Sequence, residues 1–203
     1  MLPRGAIWGK INCSIEAEVE LRPTEEVAQR ALALFVVALR AESLGVGKEI
    51  PIAEFKRNRP LAFGALTRKE TSFLNAAAPD QQQIANFAWR YEALFLLQWA
   101  LGLMPDLRYP SSICDVRAVA RTMLDVSEDD VLAGAQLRPT ATLLDALDLH
   151  FRLHWAVRQA RLDGNAKDAL QDLDPGVVLE RHYALNWLVR FEDADWDDVD
   201  TPT

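Results

Sequence analysis

Apolar residues recur at helical spacing through most of this 203-residue chain, from Pro23 to near its C-terminus. The first such segment has apolar side chains at Val27, Ala31 and Leu34 and meets glycine stop signals from Gly45 onward. Later segments likewise begin at residues that can cap a helix and end before glycine or proline. The sequence therefore predicts an all-α fold.

Several helix starts are predicted from capping residues. Thr67 and Glu70 have the spacing of a capping box, in which each side chain satisfies the other residue's backbone NH. Asp174 before Pro175 fits an N-cap followed by proline at the first helical position. Further starts are predicted at Asp80, at Ser112 with Asp115, at Ser127 and at Thr140.

The element from Asp80 to about Leu103 is predicted to be the longest apolar helix. From Tyr91 onward it is apolar on nearly all sides, which is typical of a helix that is buried all round. We therefore expect it to be the central buried helix of a single helical domain. Two further helices are expected over residues 140–162 and from residue 175 to about 191.

The N-terminal region has a different pattern. Apolar and polar residues alternate without interruption from Ile11 to Leu21, which is typical of a strand with one buried face. We divide the chain into an N-terminal extended arm or strand, residues 1–22, and a helical domain, residues 23–203. Because a lone strand needs a partner, we expect either a homodimer built on self-pairing of residues 11–21 or an arm lying against its own domain.

The net charge of −8 is concentrated near the C-terminus. Residues 192–200 contain six acidic residues and no basic one, whereas the remaining chain has 24 acidic and 22 basic residues. This balance offers no basic patch for phosphates, so we expect no nucleic-acid partner. We expect Trp196, which lies within this acidic tail, to fold back into a groove between helices. The spacing of four other tryptophans predicts core positions for Trp89, Trp99, Trp155 and Trp187.

The chain shows no signal for a membrane or for export. Its longest uninterrupted apolar run is residues 31–39, about half of what a membrane span requires. The first ten residues have no apolar signal-peptide core. We therefore expect a cytoplasmic protein with no membrane association, in which Cys13 and Cys114 are reduced thiols.

Several segments together resemble the bacterial domain-of-unknown-function family 4272. They are the ERHYALNWL stretch at 180–188, the DWDD stretch at 195–198, and residues 89–94, 99–102, 114–115 and 149–156. The resemblance extends from about residue 23 to the C-terminus. It implies an α-helical bacterial domain and no particular activity.

Polar residues within the apolar helices form the candidate site. Arg and Glu in such positions are usually paired with each other when they are buried, so we favour a structural network between helices. The alternative is a pocket in which arginines bind an anionic ligand. The candidate cluster is Arg90, Glu92, Asp148, Arg152, His154, Glu180, Arg181, His182 and Asn186, in which Asp148 and Arg152 have favourable i,i+4 spacing.

The three histidines suggest a metal site as an alternative. His150 and His154 are one helical turn apart, and His182 could supply a third ligand, with Glu180 or Asp148 as a carboxylate. The ordinary interpretation is that these histidines are structural, because two of them share a helical stripe with leucines. We expect the protein to contain no metal or other cofactor.

Cys114 suggests a second chemical alternative. The Ser112 start would place it in the first turn of a helix, where the backbone NH groups lower the pKa of a thiol. With a histidine and Asn186 it could form a cysteine–histidine–asparagine triad. No glycine-rich oxyanion loop accompanies it.

The sequence therefore favours a non-catalytic interaction or scaffold module with a protein partner of unknown identity. The absence of a nucleophile–base motif and of a phosphate-binding loop supports this interpretation. The alternative is a small-molecule-binding protein or a metal-dependent, hydrolase-like enzyme that uses His150, His154 and His182.

Overall fold

The structure is a computed structural model that describes residues 19–165 and 170–203. Helices account for about two-thirds of these residues, and none of them forms a strand, so the all-α prediction is confirmed. Two 3-10 turns, Phe191–Asp193 and Trp196–Asp198, follow the last helix. The helices are α1 (Thr24–Gly45), α2 (Ile52–Asn58), α3 (Pro60–Gly64), α4 (Arg68–Asn75), α5 (Gln81–Ala88), α6 (Arg90–Ala100), α7 (Val116–Leu124), α8 (Glu128–Gly134), α9 (Thr140–Leu162) and α10 (Pro175–Leu188).

Several helices begin where the sequence predicts because a side chain caps the first turn. The Thr67 hydroxyl accepts a hydrogen bond from the Glu70 backbone NH at 3.2 Å, and Glu70 Oε2 accepts one from the Thr67 NH at 2.9 Å. Asp80 caps α5 in the same way. Asp174 caps α10, with Pro175 at the first position of that helix. These starts are local features, and the predictions for them are confirmed.

Two predicted boundaries are wrong. The element predicted from Asp80 to about Leu103 is divided at Trp89 into α5 and α6, so α9 is the longest helix among the described residues. This division places the Trp89 ring against Gly176, where a Cβ atom would lie 2.6 Å from the ring. Asp115, rather than Ser112, caps α7 by accepting a hydrogen bond from the Ala118 NH.

Helices α1 and α6 form the centre of the core and pack against each other. Every residue of α6 from Tyr91 to Ala100 is buried, which confirms the prediction of a central buried helix for this segment. All but one of residues 27–38 of α1 are buried as well. Helix α10 also packs on α6, and α9 packs chiefly on α10. Although α1 and α6 are strongly apolar, no helix within residues 19–165 or 170–203 is long and apolar enough to cross a bilayer.

The C-terminal segment folds back onto the helices, as the sequence predicts for Trp196. The Trp196 side chain is buried, with its ring edge-on to Tyr183 and Trp187 at centroid distances of 5.2 Å. The Arg30 guanidinium lies 5.1 Å from the centroid of the same ring. The Tyr183 hydroxyl donates to the Trp196 carbonyl oxygen. The acidic tail is therefore attached to the fold by an aromatic anchor.

The chain reverses its direction between α10 and Trp196, and residues in this turn adopt left-handed backbone conformations. Arg190, Glu192 and Asp193 have φ angles of 54°, 56° and 51°. Such angles cost free energy in residues other than glycine and persist only when the surrounding contacts enforce them. The buried Trp196 side chain anchors the chain directly after the turn. We therefore infer that the burial of Trp196 stabilises these left-handed conformations.

The N-terminal strand prediction falls mostly on residues 1–18, which lie outside the described residues, and the homodimer expected from it depends on the same region. Residues 19–21 are described and form no strand. Glu20 accepts a hydrogen bond from Arg190 Nη1 at 2.5 Å, and the Arg22 backbone NH donates to the Leu188 carbonyl oxygen at 3.0 Å. The chain thus enters α1 alongside the C-terminal end of α10.

We expect Trp196→Ala to lower the free energy of unfolding by about 3 kcal/mol, because the substitution leaves a cavity among Tyr183, Trp187 and Arg30. Trp155→Ala is the matched control, since this indole is 54% exposed and its loss should change stability by less than about 0.5 kcal/mol. Urea unfolding followed by far-UV circular dichroism measures both. Equal, small effects of the two substitutions would show that the tail does not stabilise the fold.

Candidate functional site

Two ion pairs join α6 to α10 and contain four of the residues predicted for the site. Arg181 Nε donates to Glu92 Oε2 at 3.2 Å, and Arg90 Nη1 donates to Glu180 Oε2 at 2.9 Å. Glu92 and Arg181 are almost completely buried, whereas Arg90 and Glu180 are partly exposed. We call these four residues the charged seam. The structure therefore brings together residues about ninety positions apart in sequence.

The buried pair of the seam also fixes the segment before α7. Glu92 Oε1 accepts a hydrogen bond from the Cys114 backbone NH, and Arg181 Nη1 donates to the Arg108 carbonyl oxygen at 2.6 Å. The Arg181 guanidinium lies 5.1 Å from the Phe95 ring centroid. Each charge thus has a counterion and a backbone partner, which a buried ion pair requires.

In the charged seam, burial disfavours the charged forms of the side chains, whereas the ion pairs favour them. Burial lowers the pKa of the Arg181 guanidinium, and the adjacent Glu92 carboxylate opposes this shift. Burial raises the pKa of Glu180, and Arg90 opposes this shift. Each carboxylate of the charged seam has an arginine beside it, and both ion pairs join α6 to α10. That this arrangement is a structural network rather than a pocket for an anionic ligand stays a prediction from the sequence.

The remaining members of the predicted cluster lie in separate surroundings. Asp148 and Arg152 form the expected i,i+4 pair on α9, with a distance of 2.8 Å between Arg152 Nε and Asp148 Oδ2, but both side chains are exposed. Asn186 Nδ2 donates to the Asp200 carbonyl oxygen at 2.8 Å, so it holds the C-terminal segment. The predicted cluster is thus divided into the charged seam, a surface pair, a contact to the tail and the pair of His154 with His182.

Cys114 does not have the environment that the triad alternative needs. It precedes the N-cap of α7, so it is outside the first helical turn. Burial raises the pKa of its thiol well above the usual range, and the neighbouring Glu92 carboxylate adds to this effect. A nucleophilic cysteine needs the opposite shift, because the thiolate is the reactive form. The expectation of a lowered pKa is wrong, because burial and Glu92 raise the pKa and the later start of α7 leaves Cys114 outside the first turn.

The three histidines lie at the contact between α9 and α10. His154 Nδ1 and His182 Nδ1 are 3.0 Å apart, so one ring donates and the other accepts. His150 Nδ1 is 2.8 Å from the Ala146 carbonyl oxygen, which makes this nitrogen the donor. Over residues 19–165 and 170–203, no group of three or more His, Cys, Asp or Glu side chains is arranged to hold a metal ion.

Burial is the main cause of a lowered pKa at each of these histidines. It lowers the pKa of His150 to about 4, and it lowers that of His182 to about 4 with a further contribution from His154 and His150. Burial also lowers the pKa of His154, and Arg158 and Arg161 reinforce this shift. Both arginines follow His154 on α9.

The outer surface of α9 is a feature that sequence reasoning missed. Phe151, Trp155 and Leu162 are 44%, 54% and 79% exposed, so the prediction of a core position for Trp155 is wrong. With Arg158 they occupy positions i, i+4, i+7 and i+11 of one helical stripe. We call these four residues the α9 face. The spacing of these residues is visible in the sequence. The direction in which the stripe points, however, depends on which side of α9 packs against α10.

The comparison with protein families agrees with the resemblance given above. The model of a family described as "Domain of unknown function (DUF4272)" matches residues 13–199, so the chain belongs to this family. No curated protein and no solved structure gives a significant match to the chain.

We expect Glu92→Gln to lower the free energy of unfolding by about 3 kcal/mol, because it leaves the buried Arg181 guanidinium without a counterion. Asp148→Asn removes the same charge from an exposed pair and should cost less than about 0.5 kcal/mol. Urea unfolding measures both variants. A double variant, Glu92→Leu with Arg181→Met, should recover part of the loss because it removes both buried charges. Equal costs for Glu92→Gln and Asp148→Asn would contradict a structural role for the seam.

We expect the protein to lose stability as the pH falls from about 6.5 to about 4. In this range the unfolded chain binds protons at His150 and His182, whereas the folded chain keeps both rings neutral. Each of these two pKa shifts corresponds to a loss on the order of 3 kcal/mol in the free energy of unfolding over this pH range. The measurement is urea unfolding at a series of pH values. The free energy of unfolding should depend less on pH in His182→Gln, whereas Asp148→Asn should show the same dependence as the wild-type protein. The same pH dependence in His182→Gln and in the wild-type protein would contradict this account.

Proposed function

We propose that this protein is a non-catalytic interaction module and that the α9 face binds an acidic, amphipathic helix of a protein partner. The observation that carries the proposal is the exposed stripe of Phe151, Trp155, Arg158 and Leu162 on a helix that packs chiefly against one neighbour. Large apolar side chains grouped at the surface are typical of binding sites. Aromatic residues and arginine are also the types enriched at binding hot spots.

The helical spacing of the stripe favours a helical partner. Positions i, i+4, i+7 and i+11 lie in one row along a helix, which matches the anchors of an amphipathic helix laid alongside it. The stripe covers three turns, so a partner segment of similar length could contact all four side chains.

The charge of α9 favours an acidic partner. Residues 150–162 contain Arg152, Arg158 and Arg161 and no acidic residue, although the chain as a whole is acidic. The Arg158 guanidinium already binds an oxygen acceptor, the Thr203 carbonyl at 2.5 Å, at one edge of the stripe. Arginine is well suited to this role because its planar guanidinium binds carboxylates with two parallel hydrogen bonds.

The assignment of the polar residues supports a module without catalysis. Contacts between helices occupy the four residues of the charged seam, and burial raises the pKa of the Cys114 thiol. The alternative, a metal-dependent hydrolase-like enzyme using His150, His154 and His182, has no specific observation in its favour. Elemental analysis of the purified protein separates the two hypotheses, because one zinc or iron per chain, lost in His154→Ala, would support the enzyme.

A synthetic helical peptide with leucine on one face and glutamate on the other tests the proposed function. We expect it to bind the wild-type protein in a fluorescence anisotropy titration. Trp155→Ser and Arg158→Glu should each weaken binding at least tenfold, because the first removes the central anchor and the second reverses the charge beside it. The same peptide with lysine in place of glutamate should not bind.

The controls are substitutions of an exposed apolar residue and an exposed arginine outside the α9 face. Leu124→Ser and Arg117→Glu on α7 match the loss of an apolar side chain and the reversal of a charge, and both should leave binding unchanged. Equal binding by the lysine peptide, or by Trp155→Ser, would overturn the proposal. A wild-type dimer that Trp155→Ser converts to a monomer would also overturn it, because the face would then bind a second copy of the chain.

A further inference from the structure

A cavity of about 540 Å³ lies between the C-terminal part of α1, helix α5 and the segment that leads into α7. Its volume is within the range of small-molecule binding sites. The wall is mainly apolar and includes Val46, Ile84, Ala88, Trp89 and Ile113. None of the residues of the α9 face contributes to it, so the cavity is separate from the site of the proposed function. Ile113 and Val46 are 58% and 64% exposed, so the cavity is open to solvent along this edge.

One carboxylate in the cavity wall, that of Glu42, has no cationic partner within residues 19–165 and 170–203. Glu42 is half-buried, and its Oε2 accepts a hydrogen bond from the Tyr91 hydroxyl at 2.7 Å. Among the described residues, no Lys, Arg or His side chain forms an ion pair with Glu42. A carboxylate next to apolar surface without a counterion is unfavourable, and a bound cation would relieve this cost.

The rest of the wall does not neutralise this charge. Glu92 also reaches the cavity, but it is paired with Arg181, and no basic residue of the part of the chain that the structure describes lines the space. Burial, with the Glu42 carboxylate as a further cause, raises the pKa of Tyr91 well above its usual range. Tyr91 therefore remains a hydrogen-bond donor to Glu42 and adds no charge of its own.

The lining thus combines an apolar space, one uncompensated carboxylate and two aromatic side chains, Trp89 and Tyr91. Aromatic rings near a carboxylate favour organic cations, because the negative face of a ring attracts positive charge. We propose that this cavity binds an amphiphilic organic cation, that is, an ammonium group carrying an alkyl or aryl body. The ammonium pairs with Glu42, and the apolar body occupies the space between α1 and α5.

Three probes of equal chain length test the role of charge. Octylammonium, octanol and octanoate share the same alkyl body and are positive, neutral and negative at pH 7. Isothermal titration calorimetry on the full chain should show that octylammonium binds at least tenfold more tightly than octanol and that octanoate does not bind. Equal affinities for octylammonium and octanol, or binding of octanoate, would overturn the proposal without the need for any variant.

Variants then locate the binding. Glu42→Gln should weaken octylammonium binding at least tenfold and leave octanol binding unchanged, whereas Glu54→Gln, an exposed control on α2, should change neither. Ala88→Leu fills part of the cavity and should abolish binding of both probes. Unchanged octylammonium binding in Glu42→Gln or in Ala88→Leu would overturn the proposal.

A third variant separates folding from binding. Tyr91→Phe keeps the carboxylate and removes only its hydroxyl partner, so octylammonium binding should persist in a protein whose circular dichroism is unchanged. Loss of octylammonium binding in this folded variant would overturn the proposal, because the Glu42 carboxylate and the apolar space would both still be present. Binding of the glutamate peptide to the α9 face should be unaffected by Ala88→Leu, which keeps the outcome for the cavity distinct from that for the proposed function.

Discussion

The buried ion pair between Glu92 and Arg181 connects two helices through residues that are 89 positions apart in sequence. It joins α6, the central helix, to α10, and its outer hydrogen bonds hold the backbone at Arg108 and at Cys114. A buried pair of this kind tolerates little displacement, because any separation leaves a charge in an apolar environment. The position of the segment before α7, and with it one wall of the cavity near Glu42, therefore depends on this contact.

Helix α10 is buried because it has three sets of neighbours. Arg181 faces the core helix α6, His182 faces α9, and Tyr183 and Trp187 receive the returning C-terminal segment through Trp196. Helix α9 has chiefly one neighbour, so one side of it is exposed, although that side carries large apolar residues. The two proposed binding surfaces follow from these packing relations and have opposite electrostatics. The α9 face lies among arginines and suits an acidic partner, whereas the cavity contains Glu42, which forms no ion pair with any described residue, and suits a cation.

The sequence by itself determined the features that depend on neighbouring residues. The capping box at Thr67 and the N-cap at Asp174 were predictable because their hydrogen bonds span only two or three positions. The burial of the segment from Tyr91 to Ala100 followed from its lack of a polar face. The return of Trp196 followed from the cost of exposing an indole within a polar tail. Family membership rested on short motifs, which do not require a structure.

Only the tertiary structure decided which distant residues meet and which way a helix faces. The partner of Glu92 is 89 positions away, and several arginines in the chain would have satisfied the same rule of charge pairing. Trp155 has the spacing of a core residue, but α9 is rotated so that His150 and His154 face α10 instead. Cys114 lies before α7 because its backbone NH is bound by a carboxylate of another helix. Helical periodicity defines a face, whereas the direction of that face is set by the packing of all helices together, which no local sequence pattern contains.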